Sequence, residues 1–466
     1  MEMLVQELYL TDMSKLTQDT VNEILRYGKI YEVGGTVRDK YMDRTPVSKD
    51  YDYLVTGISY EKLTNILKQH GKLNLVGQSF GVIKFTQFID GKPHTFDIAL
   101  PRTEYSIGSG HKEFDVVFNP SISVEEDLRR RDFTVNAMAL DLSGGELIDP
   151  LGGLNDLKKK QIRIVYPDSF KDDPLRMLRA IQFAARFGFE IEADTFESMK
   201  TYASLITTVS PERIAEELNK LLELSDKPSI GFRLMEKSGL LKEILPELVN
   251  CIGVDQPGTY HAYDVYEHTL RIIDECPKDI SLRLAALFHD INKPQCKRIV
   301  EKGASFYGHD TFGARTAKRV LNRLRYSNEL IRKVEILIER HMFPTDVTDK
   351  GLRRLIRKTT VEFIFDLLEL RRADTIAQGT GLSNEDVDIF EKRVRDELEK
   401  KPPFGFGDLA LNGNDLMELY QLPEGPLIGE VLNYLMEKVL DDPEDNTKNK
   451  LIEYTDEFIN NKNDKG

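Results

Sequence analysis

Two aspartates separated by one residue, Asp50 and Asp52, give the sequence its clearest chemical signal. Side chains alternate along a β-strand, so both carboxylates would lie on one face of a strand at this position. Asp97 lies between Phe96 and Ile98, and this alternation places a third carboxylate on the polar face of a neighbouring strand. Carboxylates and substrate phosphates are the usual ligands of Mg²⁺. Two such ions could activate an attacking hydroxyl group and stabilise the oxygen that leaves a nucleoside triphosphate.

A glycine turn precedes the aspartates. Gly34 and Gly35 would let the backbone approach a phosphate closely, and a helix that begins behind them would favour an anion. One turn later, Arg38 could contact phosphate and Asp39 could brace the turn. Taken alone, the glycine turn could equally be an ordinary turn, and the Asp-x-Asp motif could equally be a solvated strand edge. Their order (glycine turn, helix, Asp-x-Asp strand) favours a metal-dependent nucleotidyltransferase.

Short β-branched and aromatic runs must position these residues. We predict strands of one sheet in the runs around 29–33, 51–55, 81–85 and 95–99, and a helix over 37–41. From about Asp156 onward, apolar residues recur at helical spacing. The predicted fold class is therefore α+β: a nucleotidyltransferase head with a mixed β-sheet, followed by an all-α neck, a histidine-rich helical body and a helical tail. The predicted domains are 1–155, 156–250, 251–385 and 386–466.

The composition restricts the class of protein. The chain has 466 residues, 40% of them hydrophobic, which is enough for several domains with buried cores. Cys251, Cys276 and Cys296 form no zinc-type pair and no disulfide framework, so we expect a reducing compartment, the cytoplasm. The N-terminal segment lacks the pattern of a signal peptide, and no apolar run approaches membrane-spanning length, so we expect no membrane association. No feature of the sequence specifies an oligomeric state.

The charges of the chain indicate what kind of nucleic-acid binding is possible. A formal net charge of −14 argues against a general nucleic-acid binder. An RNA substrate stays open, because phosphate contacts depend on local basic patches. Such patches occur at 129–131 and 353–358, although basic runs are most often solvated helix faces.

Longer matches extend the motifs. Residues 127–139 read DLRRRDFTVNAMA and residues 149–157 read DPLGGLNDL. Together with the glycine turn and the Asp-x-Asp strand, they resemble the class II tRNA nucleotidyltransferase (CCA-adding enzyme) and bacterial poly(A) polymerase family over most of residues 25 to 230. The resemblance implies an enzyme that adds CCA to the 3′ end of tRNA from CTP and ATP, without a template, by a two-metal-ion mechanism with Mg²⁺. Asp50, Asp52 and Asp97 would hold the metal ions and carry catalysis.

The resemblance also assigns nucleotide-binding roles beyond Gly34, Gly35 and Arg38. Arg131 and Asn136 would grip the triphosphate and the sugar. Asp173 and Arg176 would offer hydrogen bonds to the cytosine or adenine edge in place of a template. They belong to a segment, 172–180, in which Asp172 stands where the family usually has glutamate. Two further arginines on the same helix would face the triphosphate, Arg179 and Arg186.

Three other segments match the family more loosely. Residues 102–111 suit a mobile loop, which in the family helps the switch from C to A addition and so favours complete CCA addition. Glu212 and Arg213 match the neck, where they would support the base pocket or have only a structural role. Residues 408–416 and 423–429 resemble the tail of multidomain members, where Gly425 and Gly429 would contact RNA phosphates or form a helix cap.

A second group of candidate ligands lies in the predicted body. Imidazole and carboxylate side chains in this pattern can surround one or two metal ions, and they resemble the HD superfamily of metal-dependent phosphohydrolases. The ligands that match are His268, His289, Asp290 and Asp374, with His309 and His341 for a second metal. Lys293 could approach a phosphate. The resemblance implies a transition-metal ion such as Ni²⁺, Mn²⁺, Co²⁺ or Fe²⁺. The body could bind metal structurally, contact RNA, or remove phosphate or open a 2′,3′-cyclic phosphate at damaged RNA ends.

Two alternative functions remain beside CCA addition. A poly(A) polymerase would share the same head and would use ATP alone. A phosphohydrolase of the HD type would use the head only as an RNA-binding module, and the complete set of head carboxylates argues against this. The predicted partners are the tRNA 3′ end, CTP and ATP.

Overall fold

The computed structural model of the chain describes residues 15–42, 51–74, 82–106, 114–257, 262–301 and 303–463. The chain divides into two compact units, 1–208 and 209–466. In the described part of the chain, no helix has the length and apolar character needed to span a membrane.

The first unit contains a mixed β-sheet. Its strands are β1 (Lys29–Val33), β2 (Asp52–Thr56), β3 (Lys72–Asn74), β4 (Val82–Ile89), β5 (Lys92–Ala99), β6 (Arg102–Ser106), β7 (Phe114–Phe118), β8 (Ala139–Asp141), β9 (Leu147–Ile148), β10 (Gln161–Ile162) and β11 (Glu190–Ile191). The main sheet has seven strands in the order β3-β4-β5-β2-β1-β8-β9. β2 and β5 run parallel, whereas β4 is antiparallel to β5 and β1 is antiparallel to β2. β6 and β7 form a separate antiparallel ribbon.

The helices of the first unit flank this sheet. They are α1 (Gln18–Leu25), α2 (Gly35–Tyr41), α3 (Tyr60–His70), α4 (Val124–Arg129), α5 (Gly153–Lys158), α6 (Ser169–Asp172), α7 (Leu175–Phe187) and α8 (Ala193–Tyr202). α2 begins directly after Gly34, whose φ of 75° lies in the region that glycine adopts without strain. This glycine therefore allows the sharp change of direction from β1 into α2.

Alternation along the strands separates a core face from a polar face. Phe85, Phe96 and Ile98 are fully buried in one cluster. Asp97 and Lys84, which alternate with them, are only partly buried or exposed. The sheet thus buries aromatic side chains on one face and leaves charged side chains accessible at β4 and β5.

The second unit is almost wholly helical. Its helices are α9 (Pro211–Leu224), α10 (Ser229–Ser238), α11 (Leu240–Ile244), α12 (Pro246–Val249), α13 (Val265–Glu275), α14 (Ile280–Phe288), α15 (Lys293–Cys296), α16 (His309–Arg323), α17 (Asn328–Arg340), α18 (Asp349–Thr359), α19 (Ile364–Ala377), α20 (Glu385–Glu399), α21 (Gly413–Tyr420), α22 (Pro426–Asp441) and α23 (Lys448–Asn463). A hairpin of β12 (Arg298–Val300) and β13 (Gly303–Ser305) joins α15 to α16.

Two arginines of the predicted basic patch at 353–358 contact α22. Arg353 is buried, and its guanidinium donates to the carbonyl oxygens of Leu440 and Asp441 at 2.7 and 2.9 Å, where α22 ends. Arg354 forms a salt bridge with Glu437. These arginines therefore satisfy the last carbonyls of a helix and neutralise its acidic side chains.

The predicted fold class is confirmed, since a mixed-sheet head precedes a mostly helical remainder. The four predicted strands occur in one sheet, and the helix predicted over 37–41 begins two residues earlier. Pro246 starts α12, because proline is favoured at the first helical position. The segment predicted as a mobile loop at 102–111 begins as strand β6, and 107–111 lie outside the described residues. The four-domain division stays a prediction.

Candidate functional site

Asp52 and Asp97 lie side by side on neighbouring strands. They are directly paired positions of the parallel strands β2 and β5, so both side chains leave the same face of the sheet. Both residues are partly exposed, whereas Tyr53, which follows Asp52, is buried. Lys84 Nζ lies 3.2 Å from a carboxylate oxygen of Asp97. Asp50 lies outside the described residues. The arrangement brings two of the three predicted carboxylates to one accessible spot.

The glycine turn contacts this spot. A Cβ atom at Gly34 would lie 3.1 Å from Nη1 of Arg131 and 3.5 Å from Oδ2 of Asp52. A side chain there would therefore occupy space between a cation and a carboxylate. Arg131 Nε is buried and has no hydrogen-bond partner among the described residues. Backbone, guanidinium and carboxylate together suit a phosphate bound beside a metal ion.

Arg38 braces the turn from behind. Its guanidinium is buried, donates to Asp39 Oδ1 at 2.6 and 2.8 Å, and donates to Asn136 Oδ1 at 2.7 Å. The guanidinium also lies 4.5 Å from the ring centroid of Phe187. Arg38 and Asn136, both predicted to bind nucleotide, thus contact each other. This contact fixes the start of α2 relative to the Thr134–Asn136 turn.

Asp132 links this group to α7. Its carboxylate accepts hydrogen bonds from Asn136 at 3.0 Å and from the guanidinium of Arg179 at 2.7 and 2.9 Å. Burial would raise the pKa of Asp132, but Arg179 and the hydrogen bonds outweigh it and lower the pKa below 3.8. The sequence analysis missed Asp132 as a functional residue, although it lies inside the matching segment 127–139. Arg186, also on α7, lies with its guanidinium 5.0 Å from the ring centroid of Phe187.

Arg176 is held in one orientation by three acceptors. Its guanidinium donates to Ser169 Oγ at 2.8 Å, to the Arg130 carbonyl at 3.0 Å and to the Tyr166 hydroxyl at 3.1 Å. The same hydroxyl donates to Asp172 Oδ2 at 2.9 Å. Asp173, two residues before the first residue of α7, accepts from the amide of Leu175. Tyr166, which sequence reasoning did not select, therefore connects Arg176 with Asp172.

Removing the Tyr166 hydroxyl tests this connection. The family resemblance implies CTP and ATP as substrates, so we expect Tyr166→Phe to lower kcat/KM for both about tenfold and to raise misincorporation of UTP and GTP. The reason is that Arg176 loses one acceptor, and a hydrogen bond to a charged group is worth about 1.5–3 kcal/mol. Steady-state kinetics on tRNA ending before its first C would measure this. Tyr202→Phe removes a hydroxyl elsewhere in the unit and serves as control. Equal selectivity in both variants would contradict a positioning role for Tyr166.

Glu212 and Arg213 lie in the first turn of α9 in the second unit, and both are exposed. Their predicted support of the base pocket stays a prediction.

The candidate ligands of the second unit converge completely. His268 Nε2 lies 3.0 Å from Asp374 Oδ1, and His289 Nε2 lies 3.0 Å from Asp290 Oδ2. His309 Nε2 lies 3.3 Å from Asp290 Oδ1 and 3.2 Å from His341 Nε2. All six side chains are buried. Two groups could each hold an ion: His268, His289 and Asp374, and Asp290, His309 and His341.

Backbone carbonyls set the orientation of three of these imidazoles. The Nδ1 atoms of His289, His309 and His341 lie 2.7–2.8 Å from the carbonyl oxygens three residues before them. A carbonyl can only accept, so each Nδ1 carries a proton and each Nε2 faces the cluster. Burial would lower the pKa of His289, but Asp290 outweighs it and raises the pKa. Burial, with His289 nearby, lowers the pKa of His341 to about 3, which keeps its imidazole neutral. Neutral imidazoles with inward Nε2 atoms are the form that binds metals.

Lys293 completes the charge balance of the cluster. Its Nζ lies 2.6 Å from Asp290 Oδ2 and 2.7 Å from Gln256 Oε1. Burial would raise the pKa of Asp290, but His289 and Lys293 outweigh it and hold the pKa well below 3.8. The carboxylate is therefore ionised and can bridge two cations.

Comparison with known families places both units. Three family models match: the Poly A polymerase head domain at 30–163, the RNA and SrmB binding site of polymerase A at 188–252, and tRNA nucleotidyltransferase domain 2 at 310–455. With the relatives described next, they show that the chain belongs to the tRNA nucleotidyltransferase and poly(A) polymerase family. It is a tRNA nucleotidyltransferase, as its sequence predicts.

Curated relatives differ in the nucleotides that their names give. The A-adding tRNA nucleotidyltransferase of Deinococcus radiodurans is 34% identical, with 73% of this chain and 81% of the relative covered. The CC-adding tRNA nucleotidyltransferase of Thermus thermophilus is 32% identical, with 87% and 88% covered. The Multifunctional CCA protein of Nitrosococcus oceani is 37% identical, with 64% and 70% covered.

Solved structures share the fold. The Bacillus stearothermophilus CCA-adding enzyme in complex with CTP has a TM-score of 0.68 at 23% identity, with 96% of this chain and 98% of that chain covered. The Thermotoga maritima CCA-adding enzyme complexed with tRNA has a TM-score of 0.53 at 23% identity, with 95% and 96% covered. At these identities the likeness concerns the fold.

Proposed function

We propose that this enzyme adds C, C and A in turn to the 3′ end of tRNA, using CTP, ATP and Mg²⁺. The observation that carries the proposal is the pairing of Asp52 with Asp97 beside the Gly34 turn and Arg131. The names of the relatives support the substrate class, since two of the three described above are named tRNA nucleotidyltransferases and the third is named a multifunctional CCA protein.

The donor set fits a hard divalent cation. Asp52 and Asp97, with Asp50 on the same segment, would hold Mg²⁺, which prefers a few carboxylates together with substrate phosphates. When bound, the ions would lower the pKa of the attacking 3′-hydroxyl and offset the charge of the leaving pyrophosphate. Arg131 and the amides behind Gly34 would bind the triphosphate. The contacts among Arg38, Asn136, Asp132 and Arg179 would keep this pocket in shape.

Base choice would fall to the segment around Arg176. Its guanidinium is held by Tyr166, Ser169 and the Arg130 carbonyl. A donor held in a fixed orientation can discriminate between base edges, because a mismatched base would leave it without a partner. The relatives with A-adding and CC-adding names show why this step has to be tested for the present chain.

Incubation of the protein with tRNA lacking its CCA end, and with each triphosphate separately and then both, tests the proposal. We expect CTP alone to add two C residues and CTP with ATP to add CCA. Addition of C only would identify a CC-adding enzyme. Addition of one A only to tRNA ending in CC would identify an A-adding enzyme. Repeated addition of A to unrelated RNA would indicate a poly(A) polymerase.

We infer that the second unit carries a metal-dependent phosphohydrolase of the HD type. The observation that favours it is the convergence of six buried ligands in two neighbouring groups of three. The ligand set, imidazoles with carboxylates, suits Ni²⁺, Mn²⁺, Co²⁺ or Fe²⁺. When bound, such ions would polarise water for attack on a phosphate ester or a 2′,3′-cyclic phosphate at an RNA end. Hydrolysis assays on the full chain with each metal test this, and inactivity of a metal-loaded folded protein would leave a structural role.

Metal content separates the two halves of the cluster. We expect the protein to bind about two transition-metal ions per chain and His341→Ala to bind about one, because His341 belongs to only one ligand group. Inductively coupled plasma mass spectrometry after dialysis would measure this. His94→Ala, on strand β5 of the first unit, is the control. An unchanged metal content in His341→Ala would contradict the two-ion arrangement.

A further inference from the structure

A cavity of about 340 Å³ opens on to the histidine cluster. Its floor includes four of the candidate ligands: His289, Asp290, His341 and Asp374. Its walls are formed by side chains to which the sequence analysis gave no role, apart from Lys293. A ligand held by these walls would lie beside the metal site, so the inference about it rests on the proposed phosphohydrolase.

One wall of the cavity is cationic. Arg371 is 28% exposed, and its Nη1 lies 3.5 Å from Asp374 Oδ2. Lys293 is buried, and its Nζ lies 2.6 Å from Asp290 Oδ2. Both cations therefore stand beside ligand carboxylates rather than in open solvent. A phosphate that reached the cluster would meet a planar guanidinium fork and an ammonium group.

Another part of the lining is apolar. Phe306 and Met342 line the cavity together with Pro257 and Ala304. Met342 directly follows the ligand His341 and is 55% exposed, so it stands at the mouth. Lys293 Nζ lies 5.5 Å from the ring centroid of Phe306, which places the aromatic ring next to the cationic wall. An aromatic ring and a thioether suit a flat nucleobase, which stacks without regard to sequence.

The size of the cavity limits the ligand further. A volume of about 340 Å³ lies at the lower end of the range for small-molecule sites. It suits a single nucleotide. We propose that this cavity binds one nucleoside monophosphate unit, with its phosphate at Arg371 and Lys293 and its base against Phe306 and Met342.

The unit could be a free nucleotide or the last nucleotide of a single-stranded RNA that ends in a 3′-phosphate. In the reaction, a water oxygen forms a bond to phosphorus and the bond between phosphorus and the ribose oxygen breaks. The ribose oxygen takes a proton, and inorganic phosphate leaves. Arg371 binds the phosphoryl oxygens in this step and is neither oxidised nor protonated.

Methyl NMR on the full chain tests the proposal without relying on turnover. With ¹³C-methyl methionine, the Met342 signal is assigned by its loss in Met342→Leu. 3′-AMP, adenosine and inorganic phosphate are then added separately. We expect 3′-AMP to shift the Met342 signal saturably, and either half alone to bind at least about tenfold more weakly, since base and phosphate contacts act together. The signal reports this cavity even when nucleotides also bind the first unit.

Variants identify the phosphate contact. Arg371→Gln should weaken 3′-AMP binding about tenfold to a hundredfold, the value of a hydrogen bond to a charged group. Phe306→Leu should weaken adenosine binding while phosphate binding is unchanged. Arg372→Gln is the matched control, because Arg372 is on the same helix but pairs with Glu369, Asp388 and Glu391. An unshifted Met342 signal, or equal effects of Arg371→Gln and Arg372→Gln, would overturn the proposal.

A single-stranded oligonucleotide with a 3′-phosphate distinguishes the two sources. Tighter binding than 3′-AMP assigns the cavity to RNA ends, and weaker binding assigns it to free nucleotides.

The proposed phosphohydrolase can fail independently of the nucleotide-binding site. If 3′-AMP binds through Arg371 but no metal supports hydrolysis, the binding site stands and the hydrolase does not. If p-nitrophenyl phosphate is hydrolysed while Arg371→Gln binds 3′-AMP normally, the hydrolase stands and the nucleotide pocket does not.

Discussion

Asp52→Asn should lower the rate of nucleotide addition by at least about a thousandfold, because metal ions contribute several kcal/mol of transition-state stabilisation. The substitution keeps the shape of the side chain and removes the charge that a divalent cation needs. Asp52 is paired with Asp97 across β2 and β5, so the remaining carboxylates would hold an ion poorly. Single-turnover incorporation of CTP on tRNA lacking its CCA end would measure the loss.

Binding and folding should be nearly unaffected in the same variant. Asp52 is partly exposed at the start of strand β2. Replacing its carboxylate by an amide leaves the buried Tyr53 and Leu54 in place. We expect the Kd for tRNA and the Tm to stay close to those of the parent. Asp141→Asn, on strand β8 of the same sheet, is the matched control and should retain activity. Full turnover by Asp52→Asn would contradict the proposed metal binding by Asp52. It would also contradict the assignment of nucleotide addition to the first unit.

The parts of this site that sequence could predict depend on local periodicity. Alternation around Asp97 indicated that its carboxylate points away from the buried Phe96 and Ile98, and the structure places it so. The glycine turn before a helix follows from the backbone freedom of glycine at Gly34, whose φ is positive. Such signals lie within a few residues of the group that they position. They predict which face of a strand a side chain lies on, or where a helix begins.

The parts that could not be predicted depend on contacts between distant segments. Arg38 contacts Asn136, which is 98 residues away along the chain. Its burial against Phe187 follows from how α7 packs, and no local pattern around Arg38 records that. A basic residue after a glycine turn suggested phosphate binding, which stays a prediction, and the structure adds that Arg38 braces the turn. The same holds for Arg353, whose partners at the end of α22 turn a predicted surface patch into an internal contact.

Ligand chemistry explains why the histidine cluster was easier to predict than the network around Asp132. Several histidines and aspartates in one helical region suggest a metal site, and the resemblance to the HD superfamily then selects the six ligands without knowledge of the packing. Asp132 and Tyr166 act through other side chains, and aspartate and tyrosine are common surface residues. Their roles become visible only when the distances to Arg179 and Arg176 are known.

Asp132→Ala should destabilise the first unit by about 2–3 kcal/mol, somewhat below the usual cost of breaking a buried pair because Arg179 is partly exposed. The carboxylate is one-tenth exposed and holds both Arg179 and Asn136. Its loss should also loosen Arg38, which donates to Asn136, and so weaken triphosphate binding. Calorimetry and the KM for CTP would measure both effects. Glu197→Gln breaks an exposed ion pair with Lys200 and should change stability by less than about 1 kcal/mol.

The contribution of the Asp132 carboxylate to the stability of the fold should decrease at low pH. Its pKa is lowered below 3.8 in the folded chain, so its stabilisation is fully present above the unfolded value and is lost as pH falls through the folded value. The difference in Tm between the parent and Asp132→Asn should therefore be constant from about pH 7 to pH 5 and shrink below about pH 4. A difference that stays constant into the acid range would show that the two acceptor oxygens of Asp132, and not its charge, make it important. In that case Arg179 would not owe its position to this carboxylate, and the link between α7 and the triphosphate pocket would have to run through Phe183, which both Arg38 and Arg179 contact.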